Sequence, residues 1–171
     1  FRYPCDLTLV SMPTGYRRAL KMHKNRYNAE NLKLVPFLIR KEAFAVSTDK
    51  KALRRQLGLD ENKFTVFAAD GGFGVGKTEE TCVELIKRDL PINLIAVCGK
   101  NEQTYKRLAS LKPKGNTVFK PLSLVDNIME YIACSDICCG KSGASLMAEP
   151  CFFGVPQLIT HYANDIERWI G

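Results

Sequence analysis

From residue 48 to residue 160 the chain alternates short apolar runs with amphipathic stretches, and that alternation leaves few folds open to it. The runs Phe64–Ala69, Asn93–Cys98, Thr117–Phe119, Asp136–Cys139 and Gln157–Thr160 are short and apolar nearly throughout. Such runs mark strands buried on both faces. Between them, residue spacing predicts helices over 48–58, 78–89, 102–112, 125–134 and 144–153. Strand and helix in strict succession imply a parallel sheet covered on both sides, so the expected fold class is α/β, a doubly wound, Rossmann-like sheet. Upstream, Asp6–Val10 predicts a strand, Tyr16–His23 a basic helix and Leu32–Val35 a short strand. Pro36 then breaks the chain, and Phe37–Val46 reads as a connection. The expected division is 1–46 and 47–171.

Sheets of this kind bind ligands at the carboxyl ends of their strands. Three glycine-rich or polar turns fall there. After the first long strand comes Gly71-Gly72-Phe73-Gly74-Val75-Gly76, and after the second Cys98-Gly99-Lys100-Asn101-Glu102. After the fourth comes Gly140-Lys141-Ser142-Gly143-Ala144-Ser145. Together they describe a composite pocket for a phosphorylated ligand, with Gly72, Gly74, Gly76, Gly99, Lys100, Asn101 and Lys141 as candidate contacts. In the third turn Ser142, Gly143, Ala144 and Ser145 are small residues opening a helix, where a diphosphate can approach bare backbone N–H groups. Glu149 lies one helical turn further along, placed to accept hydrogen bonds from ribose hydroxyls.

The first turn also satisfies a second pattern. Gly71 to Thr78 read Gly-Gly-Phe-Gly-Val-Gly-Lys-Thr, a full match to the phosphate loop of nucleotide triphosphatases, with Lys77 and Thr78 as phosphate and Mg²⁺ ligands. Such an enzyme also needs an acidic metal ligand at the end of another strand. The other strands end in Cys98-Gly99-Lys100, Gly140-Lys141 and His161, none of which supplies it. Glu79 and Glu80, in the first turn after Thr78, suit a helix dipole and would repel a triphosphate.

A chain of 171 residues, 46% hydrophobic, can bury a substantial core. No apolar run reaches the length of a membrane span, and no signal-peptide pattern opens the chain. It begins Phe-Arg-Tyr-Pro, as expected of a piece of something longer. Its seven cysteines are an odd number lying mostly in apolar segments, consistent with thiols used as small hydrophobes in a reducing cytoplasm. Cys134, Cys138 and Cys139 lack the paired spacing of a metal site, so no metal is expected. The net charge of +7 is local: residues 1–60 hold thirteen Lys and Arg against five Asp and Glu, and the remainder twelve against thirteen. An anionic membrane surface or a nucleic acid could use such patches, and a solvated helix face is the plainer reading of the stretch Lys50, Lys51, Arg54 and Arg55.

The residues from Ala69 to Pro156 resemble the C-terminal, nucleotide-sugar-binding half of the family 28 glycosyltransferases of GT-B fold. The likeness is nearest to the monogalactosyldiacylglycerol synthases and the processive diacylglycerol glucosyltransferases. It rests on the turn Asp70 to Thr81, on Val97-Cys98-Gly99-Lys100-Asn101, on Asp136 to Glu149 and on Gly154-Val155-Pro156. The resemblance implies a UDP-hexose donor as substrate, a lipid acceptor such as diacylglycerol, and no cofactor. Leu124 and Val125 would flank the uracil, Glu149 would hold the ribose, and the helix start at Ser142 to Ser145 would carry the diphosphate. Residues 1–46 would be the tail of an acceptor domain plus linker, and 47–171 a donor domain cut short at its C-terminus. The family's base lies in the acceptor domain, so no catalytic residue is assigned here and the fragment is expected to bind donor but transfer little. The expected location is cytoplasmic, peripheral at the inner face of the membrane. Where the family has Gln-Glu followed by Asn to contact the donor sugar, this chain has Ile166-Glu167 and Ile170. Glu167 is the one donor contact retained there. The alternatives are a phosphate-loop triphosphatase, a UDP-sugar epimerase of the same fold, and a basic lipid-binding module without activity.

Overall fold

The computed structural model describes residues 5–113 and 115–170. The chain forms two compact units, Phe1–Leu38 and Ile39–Gly171. The second starts earlier than the expected boundary because the segment 39–46 packs on it. Ile39 and Val46 join its core, and Lys41–Ala45 winds into a 3-10 turn that buries Ala43.

In the first unit, β1 (Thr8–Val10) pairs in parallel with β2 (Leu32–Leu34), and α1 (Pro13–Met22) links them. Pro13 starts α1 because a first-turn residue needs no N–H partner. Ala19, Tyr27 and Leu32 form its small core, while Arg17, Lys21 and Lys24 stay exposed.

The second unit is a five-stranded parallel sheet in the order β5-β4-β3-β6-β7. Its strands are β3 (Phe64–Ala69), β4 (Ile92–Val97), β5 (Val118–Leu122), β6 (Ile137–Lys141) and β7 (Gln157–His161). Its helices are α2 (Lys50–Gln56), α3 (Thr78–Lys87), α4 (Glu102–Ser110), α5 (Ile128–Ala133), α6 (Ala144–Phe152) and α7 (Asp165–Ile170). Alternate side chains of β3 and β4 feed two opposite cores. Phe67, Ala69, Ile95 and Val97 pack with residues of α2, α5 and α6. Val66, Ala68, Leu94 and Ala96 pack with Cys82 of α3 and Leu108 of α4. This is the doubly wound architecture that the alternating pattern predicts, and α7 is an element that the pattern does not signal.

Strand β3 pairs with β4 on one side and β6 on the other. Chain order reverses at β3, so the crevice beyond β3 and β6 is the topological switch point, where open α/β sheets take their ligands. Cys82, Cys98 and Cys139 lie in one core and Cys134 and Cys138 in the other. Burial pushes the thiols of Cys98 and Cys134 up to about 11, so they behave as apolar fillers rather than nucleophiles. Among the described residues, no group of three His, Cys, Asp or Glu could hold a metal ion.

Candidate functional site

A cavity of about 360 Å³ opens at the switch point. The glycine turn after β3 contributes Gly71 and Gly72, and the turn after β4 contributes Gly99. Leu124 and Val125 ahead of α5, with Ile128 at its start, form an apolar wall, and Lys141, Gly143, Ala144 and Ser145 line the entrance to α6. Glu149 and Arg40 close the far side. Sites of this kind are mostly apolar with a few convergent polar groups.

At the entrance to α6, Gly143 takes the N-cap position with extended backbone, and no side chain caps the helix. Its first-turn N–H groups therefore lie open beside the cavity, with the positive end of the helix dipole behind them. One turn on, Glu149 is 3% exposed. Its Oε1 accepts a hydrogen bond from Arg40 Nε at 2.7 Å and its Oε2 one from Arg40 Nη2 at 3.4 Å. Burial raises the Glu149 pKa and the Arg40 guanidinium opposes that rise. Arg40 sits 109 positions upstream, carries no motif, and falls in what reads as a linker. Only the packing of 39–46 onto the sheet brings it to Glu149, so the sequence alone does not mark it.

The remaining candidates are used structurally. Gly74 has φ +60°, and a Cβ there would stand 1.9 Å from the Cys98 carbonyl oxygen. Gly99 has φ +56°, and its Cβ would stand 2.4 Å from the Gly72 oxygen. The first two turns thus interlock backbone to backbone, and Lys100 N donates to Gly72 O at 2.9 Å. The Lys100 ammonium lies over the Phe73 ring, 5.7 Å from its centroid, outside the cavity. Asn101 caps α4 through Thr104 N at 3.1 Å and donates to Gly74 O at 3.0 Å. Ser142 is fully buried, and its hydroxyl donates to Glu167 O at 2.7 Å. Glu167 spends both carboxylate oxygens inside the protein, on Lys141 Nζ at 2.7 Å and Ala163 N at 2.9 Å. Gly74, Gly76, Lys100, Asn101, Ser142 and Glu167 therefore lie outside the lining of the cavity and hold the turns around it. The side chains of Ile166 and Ile170 lie outside the described residues.

The phosphate-loop match fails for a concrete reason. Asp70, at the end of β3, is 3% exposed, and its Oδ2 accepts from Thr78 N at 2.6 Å and from Thr78 Oγ1 at 2.6 Å. A protein carboxylate occupies the α3 N-terminus, where a phosphate would sit, and takes the hydroxyl that would bind Mg²⁺. Lys77 is exposed. The other oxygen, Asp70 Oδ1, faces His161 Nε2 at 3.6 Å. Gly76 leaves room for both, since a Cβ there would lie 2.4 Å from Asp70 Cγ and 2.5 Å from His161 Nε2. Of the two helix N-termini at the switch point, α3 is filled and α6 is open.

A Rossmann-like parallel sheet with an open helix N-terminus, a buried carboxylate one turn along it and a cavity at the switch point is the arrangement of a doubly wound ligand-binding domain. A solved structure of the kitacinnamycin glycotransferase superposes with a TM-score of 0.55 at 16% identity, covering 94% of this chain and 37% of that one, which establishes the common fold.

Within that class the chain resembles the lipid glycosyltransferases, at low identity. It is 27% identical over 116 residues to the processive diacylglycerol beta-glucosyltransferase of Bacillus pumilus, covering 68% of this chain and 30% of that enzyme. Identity to the same-named enzyme of Bacillus subtilis is 28% over 130 residues, covering 75% of this chain and 34% of the relative. Identity to monogalactosyldiacylglycerol synthase 1 of Arabidopsis thaliana is 30% over 120 residues, covering 66% of this chain and 22% of the relative. The matched part thus spans about a third or less of these relatives' length. No protein-family model matches the chain.

Proposed function

We propose that this chain carries the donor side of a glycosyltransferase that moves a hexose from UDP onto a lipid acceptor such as diacylglycerol. The observation that carries the reading is the pairing, in one cavity, of the uncapped α6 N-terminus with the buried, Arg40-bonded carboxylate of Glu149. A nucleoside diphosphate fits that spacing. Its uracil lies against Leu124 and Val125, its ribose hydroxyls donate to Glu149, and its diphosphate meets the N–H groups of Ala144 and Ser145. When the glycosidic bond to UDP breaks, charge builds on the departing phosphate, and fixed N–H dipoles with Lys141 stabilise it where it forms. This arrangement needs no metal or other cofactor. We assign no base to this chain: activation of the acceptor hydroxyl belongs to a domain outside it, and the chain alone is expected to bind donor and transfer little.

Relatives whose names carry diacylglycerol support the lipid acceptor, and the basic first unit supports a peripheral position on the anionic inner face of a membrane, with no nucleic acid as partner. Among the described residues no helix is long and apolar enough to cross a membrane.

Thermal melting with UDP, UDP-sugars and ATP, each with and without Mg²⁺, tests the reading. UDP at a hundred times its Kd should stabilise the fold by roughly 2.7 kcal/mol without Mg²⁺, and ATP with Mg²⁺ should do nothing. Stabilisation by ATP–Mg²⁺ that Lys77→Ala abolishes would restore the triphosphatase. Conversion of a free UDP-sugar without an acceptor would indicate an epimerase. No response to any uridine nucleotide sinks the proposal.

A further inference from the structure

Lys141 ends β6 at the cavity wall, and an unrestrained lysine ammonium would roam on its four-carbon stem. Here it is held. Glu167 Oε1 accepts from Lys141 Nζ at 2.7 Å, and Glu167 is itself fixed at three further points. Its Oε2 accepts from Ala163 N at 2.9 Å, its main-chain oxygen accepts from Ser142 Oγ at 2.7 Å, and its main-chain N–H donates to Asn164 Oδ1 at 3.0 Å. Lys141 keeps its Glu167 partner ionised, holding that carboxyl below the usual carboxylate range, with Ala163 N–H and His161 adding to the effect.

The stem passes within ordinary van der Waals range of two glycine positions. A Cβ on Gly71 would stand 3.5 Å from Lys141 Cε, and one on Gly143 would stand 3.7 Å from it. The end of the lysine side chain thus lies between the glycine turn after β3 and the open N-terminus of α6. One of its three N–H bonds goes to Glu167, which leaves two donors for an anion.

We propose that Glu167 is a positioning residue, which aims the Lys141 ammonium at the diphosphate of the bound nucleotide and does not itself touch the donor sugar. This inference rests on the UDP reading of the cavity.

The test is calorimetric titration of the whole chain, without Mg²⁺, against uridine, UDP and UDP-glucose. Glu167→Gln should weaken UDP and UDP-glucose by the same factor, on the order of tenfold, and leave uridine unchanged. In a Lys141→Met background the Glu167→Gln effect should vanish. A loss confined to UDP-glucose would make Glu167 a sugar contact and overturn the proposal, as would unchanged or tighter UDP binding. Should Glu167→Gln fail to fold, Lys141→Met alone decides, because it leaves the Ala163, Ser142 and Asn164 bonds intact. That variant must lower the preference for UDP over uridine by on the order of tenfold, the α6 N–H groups keeping the rest, and an unchanged preference overturns the proposal. If the unaltered chain binds no uridine nucleotide, the underlying reading falls and this inference with it. If it binds UDP but Glu167→Gln behaves like the unaltered chain, only this inference falls.

Discussion

Asp70 and Glu149 are both buried carboxylates at the same sheet edge, but one is spent on its own fold and the other faces a cavity. Burial raises the folded-state pKa of Glu149 above its unfolded value, so its ionised form costs stability. The sign follows from linkage: the contribution is favourable below the unfolded carboxylate value and is lost as pH rises through the folded one. Glu149→Gln is therefore expected to melt no lower than the unaltered chain at neutral pH, with the difference closing in acid, where Glu149 is itself neutral. Arg40, half exposed, can turn to water when its partner is neutralised. The same substitution should weaken UDP by roughly 1 to 3 kcal/mol, the scale of lost hydrogen bonds to a charged group. Melting curves with and without UDP across pH check both halves. The glycines divide in the same way. Gly74→Ala puts a Cβ 1.9 Å from Cys98 O at φ +60°, and should cost roughly 3 kcal/mol or more, whereas Gly72, with nothing within 4 Å of its Cβ position, should tolerate Ala within about 0.5 kcal/mol. Urea unfolding of the two variants measures the difference.

At the scale of elements, what was legible in the sequence was whatever local periodicity encodes. Strand β3 runs from Phe64 to Ala69 as its apolar run predicts, and α6 starts at Ala144 as its small residues predict. Helix α5 starts at Ile128 rather than 125, because Leu124 and Val125 turn into the cavity wall ahead of the helix. Helix α7 was not legible: it is six residues long, and its start is fixed by Asn164 Oδ1 accepting from Glu167 N, a contact with no periodic signature. The role of Arg40 was hidden for the opposite reason, since its partner is remote in sequence. The phosphate-loop pattern is the instructive case. Glycines and Thr78 matched it by spacing, but the pattern does not register the residue just before them, and Asp70 decides what the turn can hold. Asp70 pins the end of β3 to the start of α3 through two bonds to Thr78. Thr78→Val removes one of them and should cost about 1 to 2 kcal/mol of stability, with UDP affinity unchanged. In a phosphate loop the same change would abolish nucleotide binding, so a paired melting and titration experiment separates the two roles.

At the scale of the whole molecule, charge divides along the same boundary as the fold. Residues 1–38 hold seven Lys and Arg against two Asp and Glu, a balance of +5, while 39–171 hold eighteen against sixteen, a balance of +2. Among the described residues the first unit has a core of three buried side chains, with Arg17, Lys21 and Lys24 exposed on and just after α1. So small a core leaves most of that unit as surface, and its basic side chains can meet anionic headgroups without unfolding anything. Each basic residue near a charged bilayer is worth about 1 kcal/mol, and the attraction fades beyond a Debye length of roughly 8 Å at physiological salt. The chain is therefore expected to co-sediment with vesicles containing anionic lipid at low salt, to ignore neutral vesicles, and to release as salt rises. Reversing Arg17, Lys21 and Lys24 to Glu should abolish that binding and leave the UDP response of the second unit untouched, since the cavity is lined from Arg40 onward. Salt-independent sedimentation, or binding that survives the triple reversal, would move the membrane contact away from this face.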